Sequence, residues 1–206
     1  MVFRATGSIS CAGSYSVGEL LSEQARRRPT FTALADADRS LDYATLDDRA
    51  SRLANLLLNL GVRRGDRVAV LAENRFEYIE ATFAAAKLGA IPSALNWRLS
   101  SEELSHCIGL VEPLAALVSA RFGPNLAAAS WRPSIVIELS ADYESRLAAS
   151  SNSEPPVVSE PEDGLLILYT SGTTGLPKGA LISHRAELAR MNLSRIDLNL
   201  EETDSF

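Results

Sequence analysis

Basic charge is in short supply: 20 Lys and Arg stand against 26 Asp and Glu, which gives the 206-residue chain a formal net charge of −6. A surface of that sign offers no general attraction to phosphate backbones or anionic lipid, so nucleic acid and membrane surfaces are not expected partners. Cysteine is nearly missing. Cys11 and Cys107 lie far apart and have no His or Cys neighbour at metal-ligand spacing, which argues against a disulfide framework or a zinc site. Long apolar runs are missing too. The N-terminus "MVFRATGSISCAGSYS" lacks the continuous hydrophobic segment of a secretory signal, and no stretch reaches membrane-spanning length. A reducing cytoplasm is the expected location.

With 46% hydrophobic and 22% charged residues, the composition is that of a soluble globular protein with length enough for a sizeable core. After a small-residue tail over residues 1–16, "VGELLSEQARRRP" puts Val17, Leu20, Leu21 and Ala25 on one helical face before Pro29 ends it. "FTALA" and "SLDY" flank a polar turn and predict a small hairpin. The next helix carries Leu46, Ala50, Leu53, Ala54 and Leu57 as an apolar stripe, with Thr45 and Asp48 suited to a capping box and Gly61 to the exit.

From there helix and strand alternate. "DRVAVLA" reads as a buried strand, "RFEYIEATFAAAKLG" as a helix ending at Gly89, and "AIPSALN" as extended. "SSEELSHCIGLV" is a helix with a capping box at Ser100 and Glu103, followed by strands at "LAALVS" and "SIVIEL". This order predicts an α/β fold with a mostly parallel sheet covered by helices. Residues 150–163, rich in Ser, Pro and acid, read as a solvated connecting loop. Beyond them "GLLILYT" is a buried strand, "ALISH" a second strand, and "RAELARMNLSRI" a helix with Leu188 and Met191 facing inward.

The chemistry concentrates between the last two strands, in "TSGTTGLPKG". Thr170, Ser171, Thr173 and Thr174 supply hydroxyls, while Gly172 and Gly175 let the backbone turn and approach a ligand closely. Consecutive free N–H groups in such a turn bind anions, and Lys178 adds a positive charge, so a polyphosphate suits the loop best. The nucleotide-hydrolase P-loop is a poor match. It needs a second Gly where Pro177 stands and a Ser or Thr where Gly179 stands, followed by a helix where "ALISH" reads as a strand. A plain surface turn would also favour Ser, Thr and Gly, so composition leaves that reading open.

The order of residues is more specific. "YTSGTTGLPKGA" resembles the phosphate-binding signature of the adenylate-forming superfamily, which includes acyl-CoA synthetases, luciferases and the adenylation domains of peptide synthetases. The upstream stretch from "DYATLDD" through "GDRVAV" to "LNWRLSSEEL" is similar to the N-terminal region of acyl-CoA synthetases, and the resemblance covers roughly Val17 to Ile196. It implies the N-terminal part of the large domain of that fold. It further implies attack of a carboxylate on the α-phosphorus of ATP, with Mg2+ neutralising the phosphates, then displacement of AMP by a thiol, usually coenzyme A.

Carried over, Thr170, Ser171, Gly172, Thr173, Thr174, Gly175 and Lys178 would contact the β- and γ-phosphates. The family's later motifs have no counterpart before Phe206: the acyl-pocket segment, the adenine and ribose contacts, the magnesium carboxylate, the hinge, and the C-terminal domain with its catalytic lysine. No catalytic residue is therefore assigned, and the chain is expected to be a fragment that cannot complete adenylation alone. A small-molecule carboxylic acid, ATP and CoA are the expected partners. The look of a stand-alone CoA ligase favours a fatty or aromatic acid, with carrier-protein loading and a non-catalytic ATP-binding module as the alternatives. Single residues outside the loop take structural readings. These are His184 as a helix start or packing residue, His106 as structural, Cys107 as small and buried, Trp97 and Arg98 as a packed connection, and Arg26 to Arg28 as helix-end cations.

Overall fold

In a computed structural model the described residues are 16–156, 159–170, 175–199 and 204. Helix α1 (Val17–Arg27) is entered through Ser16, whose hydroxyl accepts from the Glu19 N–H while the Glu19 carboxylate returns to the Ser16 N–H. Ser16 thus belongs to the helix and not to the tail, whose other residues, 1–15, lie outside the described ones. Val17 and Leu21 are buried, and the charged end at Arg26 and Arg27 faces solvent. Strands β1 (Thr32–Ala35) and β2 (Ser40–Asp42) form the expected antiparallel hairpin as a separate two-stranded sheet.

Helix α2 (Tyr43–Asn59) begins earlier than the spacing of Thr45 and Asp48 suggests. Its N-cap is Asp42, whose side chain accepts from the Thr45 N–H at 2.8 Å. Asp48 instead faces Arg52 one turn on, at 2.7 Å, and takes an N–H from Asn152. A capping carboxylate at the strand end satisfies the same orphan amides. The predicted stripe holds: Leu46, Ala50, Leu53, Ala54 and Leu57 are all buried, and Gly61 takes φ +107° at the exit. Full burial of one such leucine is worth about 1.5–3 kcal/mol.

The main sheet has six strands in the order β6-β5-β3-β4-β7-β8, formed by β3 (Arg67–Leu71), β4 (Ile91–Leu95), β5 (Ala115–Val118), β6 (Ile135–Glu138), β7 (Gly164–Thr170) and β8 (Lys178–Ser183). Every pairing is parallel except β7 with β8. The linking helices are α3 (Phe76–Leu88), α4 (Ser101–Val111), α5 (Gly123–Ala128), α6 (Ala141–Ala149) and α7 (His184–Asp197). Helices α2, α3 and α6 cover one face around Leu57, Val68, Ala84, Leu117 and Tyr143, while α4 and α5 cover the other around Leu71, Leu95, Cys107, Ile108 and Leu126. Burial on both faces explains why β3 and β5 read as continuous apolar runs.

Gly89 ends α3 with φ +64°, and the Ser100–Glu103 capping box starts α4, both as the residues predict. The short helices α5 and α6 were not expected from periodicity. Two further expectations are corrected. Met191 on α7 is 42% exposed while Leu188 is buried, and β7 alternates, with Leu165 and Ile167 inward and Leu168 outward. That alternation is what an antiparallel neighbour at the sheet margin allows. The connecting loop is solvated along most of its length but tied down. Arg52 donates to the Ser150 carbonyl, Asn55 to those of Ser151 and Ser153, and Glu154 meets the buried Lys87 ammonium at 2.8 Å. Close approach of α1 to α3 depends on Gly18, where an added Cβ would sit 2.9 Å from the Lys87 backbone nitrogen.

Candidate functional site

The hydroxyl- and glycine-rich loop joins β7 to β8 in an antiparallel ladder that closes with Tyr169 opposite Gly179 and Thr170 opposite Lys178. Strand β7 lies parallel to β4, with Ser93 opposite Ile167, so the loop opens at the carboxyl end of the parallel strands. Ligands gather at that end in open α/β sheets. Ser171, Gly172, Thr173 and Thr174 lie outside the described residues. Of the other sequence-assigned residues, Thr170 ends β7 in an exposed position and Gly175 has φ +100°, a left-handed conformation that favours glycine. Lys178 starts β8, is exposed, and among the described residues has no carboxylate within ion-pair distance. An ammonium with no carboxylate partner among the described residues attracts anionic oxygen.

The arms of the loop are held from the sheet and from α4. On the incoming side, the half-buried Tyr169 hydroxyl donates to the Cys107 carbonyl at 2.8 Å and lies 2.7 Å from Ser93 Oγ. A carbonyl can only accept, so the tyrosine proton goes there and Ser93 donates to the phenol oxygen. Burial pushes the Tyr169 hydroxyl up to about 12, so it keeps its proton at neutral pH. On the outgoing side, His106 Nε2 lies 2.9 Å from the Pro177 carbonyl, which fixes Nε2 as the N–H. Sequence reasoning assigned no site role to Tyr169, Ser93 or His106. Tyr169 heads the recognisable motif, but its partners are 62 and 76 residues away.

The remaining single-residue readings hold. His184 is fully buried at the start of α7, where Nδ1 accepts from the Val17 N–H at 3.1 Å. Six strand residues separate it from the loop, about 20 Å at the rise of a β-strand, so it serves packing rather than the site. Burial pushes it below its ordinary 6.5, against the pull of Asp163 and Glu19. Cys107 is buried, which pushes its thiol up to about 11. Trp97 stacks on Phe122 with ring centroids 5.8 Å apart, and the Arg98 guanidinium lies 4.6 Å from its ring. Arg26 pairs with Glu23 at 2.8 Å, and Arg28 lies over Phe31.

Among the described residues no group of three or more His, Cys, Asp and Glu could hold a metal ion, and no helix is long and apolar enough to cross a membrane.

Comparison with known proteins fits this geometry. The family model described as "AMP-binding enzyme" matches residues 21–206. A fatty acid–[acyl-carrier-protein] ligase from Streptomyces coeruleorubidus is 34% identical over 172 residues, which cover 82% of this chain and 33% of the relative. An indoleacetate–CoA ligase from Aromatoleum aromaticum is 36% identical over 193 residues, 89% of this chain and 38% of that protein. The inhibitor-bound N-terminal domain of FACL13 from Mycobacterium tuberculosis superposes with a TM-score of 0.76 at 32% identity, over 82% of this chain and 44% of that one. The chain spans about a third of the length of the curated relatives it matches. On the extent of that match and the likeness of the fold, the chain belongs to the family of AMP-binding enzymes.

Proposed function

We propose that this chain supplies the triphosphate-gripping part of an AMP-forming acid–thiol ligase, in which a carboxylate attacks the α-phosphorus of ATP and a thiol then displaces AMP. The observation that carries the reading is the place of this hydroxyl- and glycine-rich sequence, which joins β7 to β8 at the carboxyl end of the parallel strands, with Lys178 at its exit and no ion-pair partner for that ammonium among the described residues. Thr170, Ser171, Gly172, Thr173, Thr174, Gly175 and Lys178 contact the β- and γ-phosphates. Their work is electrostatic: N–H groups, hydroxyls and the ammonium stabilise the charge that grows on pyrophosphate as it leaves. Magnesium would enter with ATP and offset phosphate charge when bound.

The names of the relatives support a carboxylic acid as the second substrate and CoA as the acceptor thiol. A fatty or aromatic acid is the favoured class. Loading of a carrier protein is the second reading, favoured by the acyl-carrier-protein ligase among the relatives. The test of the grip is a thermal-shift titration with magnesium and ATP. The wild-type chain should be stabilised as ATP rises, and Lys178→Ala should lose most of that shift. An ATP-induced shift that Lys178→Ala leaves intact would remove the loop from the binding site.

A further inference from the structure

The two arms of the loop are tied to consecutive residues of α4, and they are tied unequally. Tyr169 on the incoming arm has two hydrogen-bond partners, Ser93 Oγ and the Cys107 carbonyl, with its ring against the core around Leu95 and Leu104. The outgoing arm is different. Gly175 and Leu176 are exposed, and Pro177 has no N–H to offer. Among the described residues, His106 is the one side chain hydrogen-bonded to the backbone of residues 175–178, through its Nε2–H and the Pro177 carbonyl.

We infer that His106 is a positioning residue for nucleotide binding, aiming the Pro177–Lys178 peptide so that Lys178 is presented to the phosphates. The reason is the planarity of the peptide unit. In a trans peptide, and no cis peptide occurs among the described residues, the C=O and the following N–H point in opposite directions. By holding the Pro177 carbonyl toward α4, His106 turns the Lys178 N–H away from α4. It also fixes where the first residue of β8 stands opposite Thr170. Without that grip no side-chain hydrogen bond among the described residues holds the Pro177 backbone, and the ammonium of Lys178 loses its fixed starting point. The inference rests on the reading of the loop as the phosphate grip.

Three variants separate positioning from mere folding. His106→Gln keeps an N–H at nearly the reach of Nε2, His106→Asn is polar but too short, and His106→Ala removes the group. Two measurements apply to each variant: hydrogen exchange of the Lys178 and Gly179 amides without ligand, and the dissociation constant for ATP in excess magnesium. The Ala and Asn variants should speed exchange and weaken ATP binding about three- to tenfold, the span of one net hydrogen bond, and the Gln variant should stay within about twofold of wild type.

Unchanged exchange in both the Ala and Asn variants would overturn the tether. Faster exchange with ATP affinity untouched would reduce His106 to maintaining the fold and overturn the positioning role. If the wild-type chain binds no ATP, the phosphate-grip reading fails and the positioning role falls with it, while exchange still decides whether the tether exists. Should the Ala variant not fold, the Gln and Asn pair decides in the same way.

Discussion

Replacing Lys87 with Met tests how the connecting loop is held. The Lys87 side chain is 1% exposed, and its ammonium lies 2.6 Å from Ser22 Oγ, 2.9 Å from Asp47 Oδ1 and 2.8 Å from Glu154 Oε1. Three helices and the loop meet there. Met keeps most of the stem packing and removes the charge, leaving two carboxylates facing the Ser22 hydroxyl. Breaking a buried ion pair on one side costs about 3–5 kcal/mol, but Asp47 and Glu154 are 21% and 45% exposed and regain hydration, which brings the expectation to about 2 kcal/mol. In a domain of this size that is a fall in melting temperature of about 4–8 °C. Calorimetry would read it, and hydrogen exchange at Ser153 and Glu154 should accelerate in the same variant. A melting temperature within about 1 °C of wild type would refute the reasoning, because the desolvation cost of Lys87 would then cancel its hydrogen bonds.

Stability should also depend on pH through His184. Its pKa is lowered in the folded state by burial, so its contribution is complete above the unfolded value near 6.5 and is lost as pH falls from there toward the lowered folded value. A urea-midpoint difference between wild type and His184→Phe that stays constant from pH 8 to pH 5 would contradict this. Gly18→Ala should destabilise by about 1–3 kcal/mol, since its Cβ would meet the Lys87 backbone and not a side chain that can swing aside; urea denaturation measures it. Ser100→Ala removes the acceptor for the Glu103 N–H and should cost about 1 kcal/mol, whereas Ser101→Ala next to it should cost little.

The residues that declare themselves in sequence are those whose reasons are local. Leu46 to Leu57 repeat at helical spacing, Ser100 and Glu103 stand three apart, and Gly89 follows the last periodic residue, so α2, α4 and the end of α3 were legible. Strand β3 was legible because burial on both faces leaves an unbroken apolar run. Helix α5, at six residues, is too short to show a period, and α6 buries only Tyr143 and Leu147. Met191 illustrates the opposite failure. Its spacing suits an inward face, but α7 packs chiefly through Leu188 and buried His184, with little of its length covered.

At the site, the loop's chemistry was visible because hydroxyls, glycines and Lys178 are contiguous. Its supports were not. Ser93, Cys107 and His106 reach Tyr169 and Pro177 across 62 to 76 residues, a relation set by the strand order and not by any spacing along the chain.

The central claim is that residues 170–178 grip the phosphates of ATP. The most direct measurement is a titration of the isotope-labelled chain with magnesium and ATP, followed residue by residue by amide NMR. The largest shifts should fall on Thr170, Gly175, Lys178 and the four residues between Thr170 and Gly175, and Lys178→Ala should abolish or sharply weaken them. Saturable shifts centred elsewhere on the chain, or identical titrations of the wild type and Lys178→Ala, would contradict the claim.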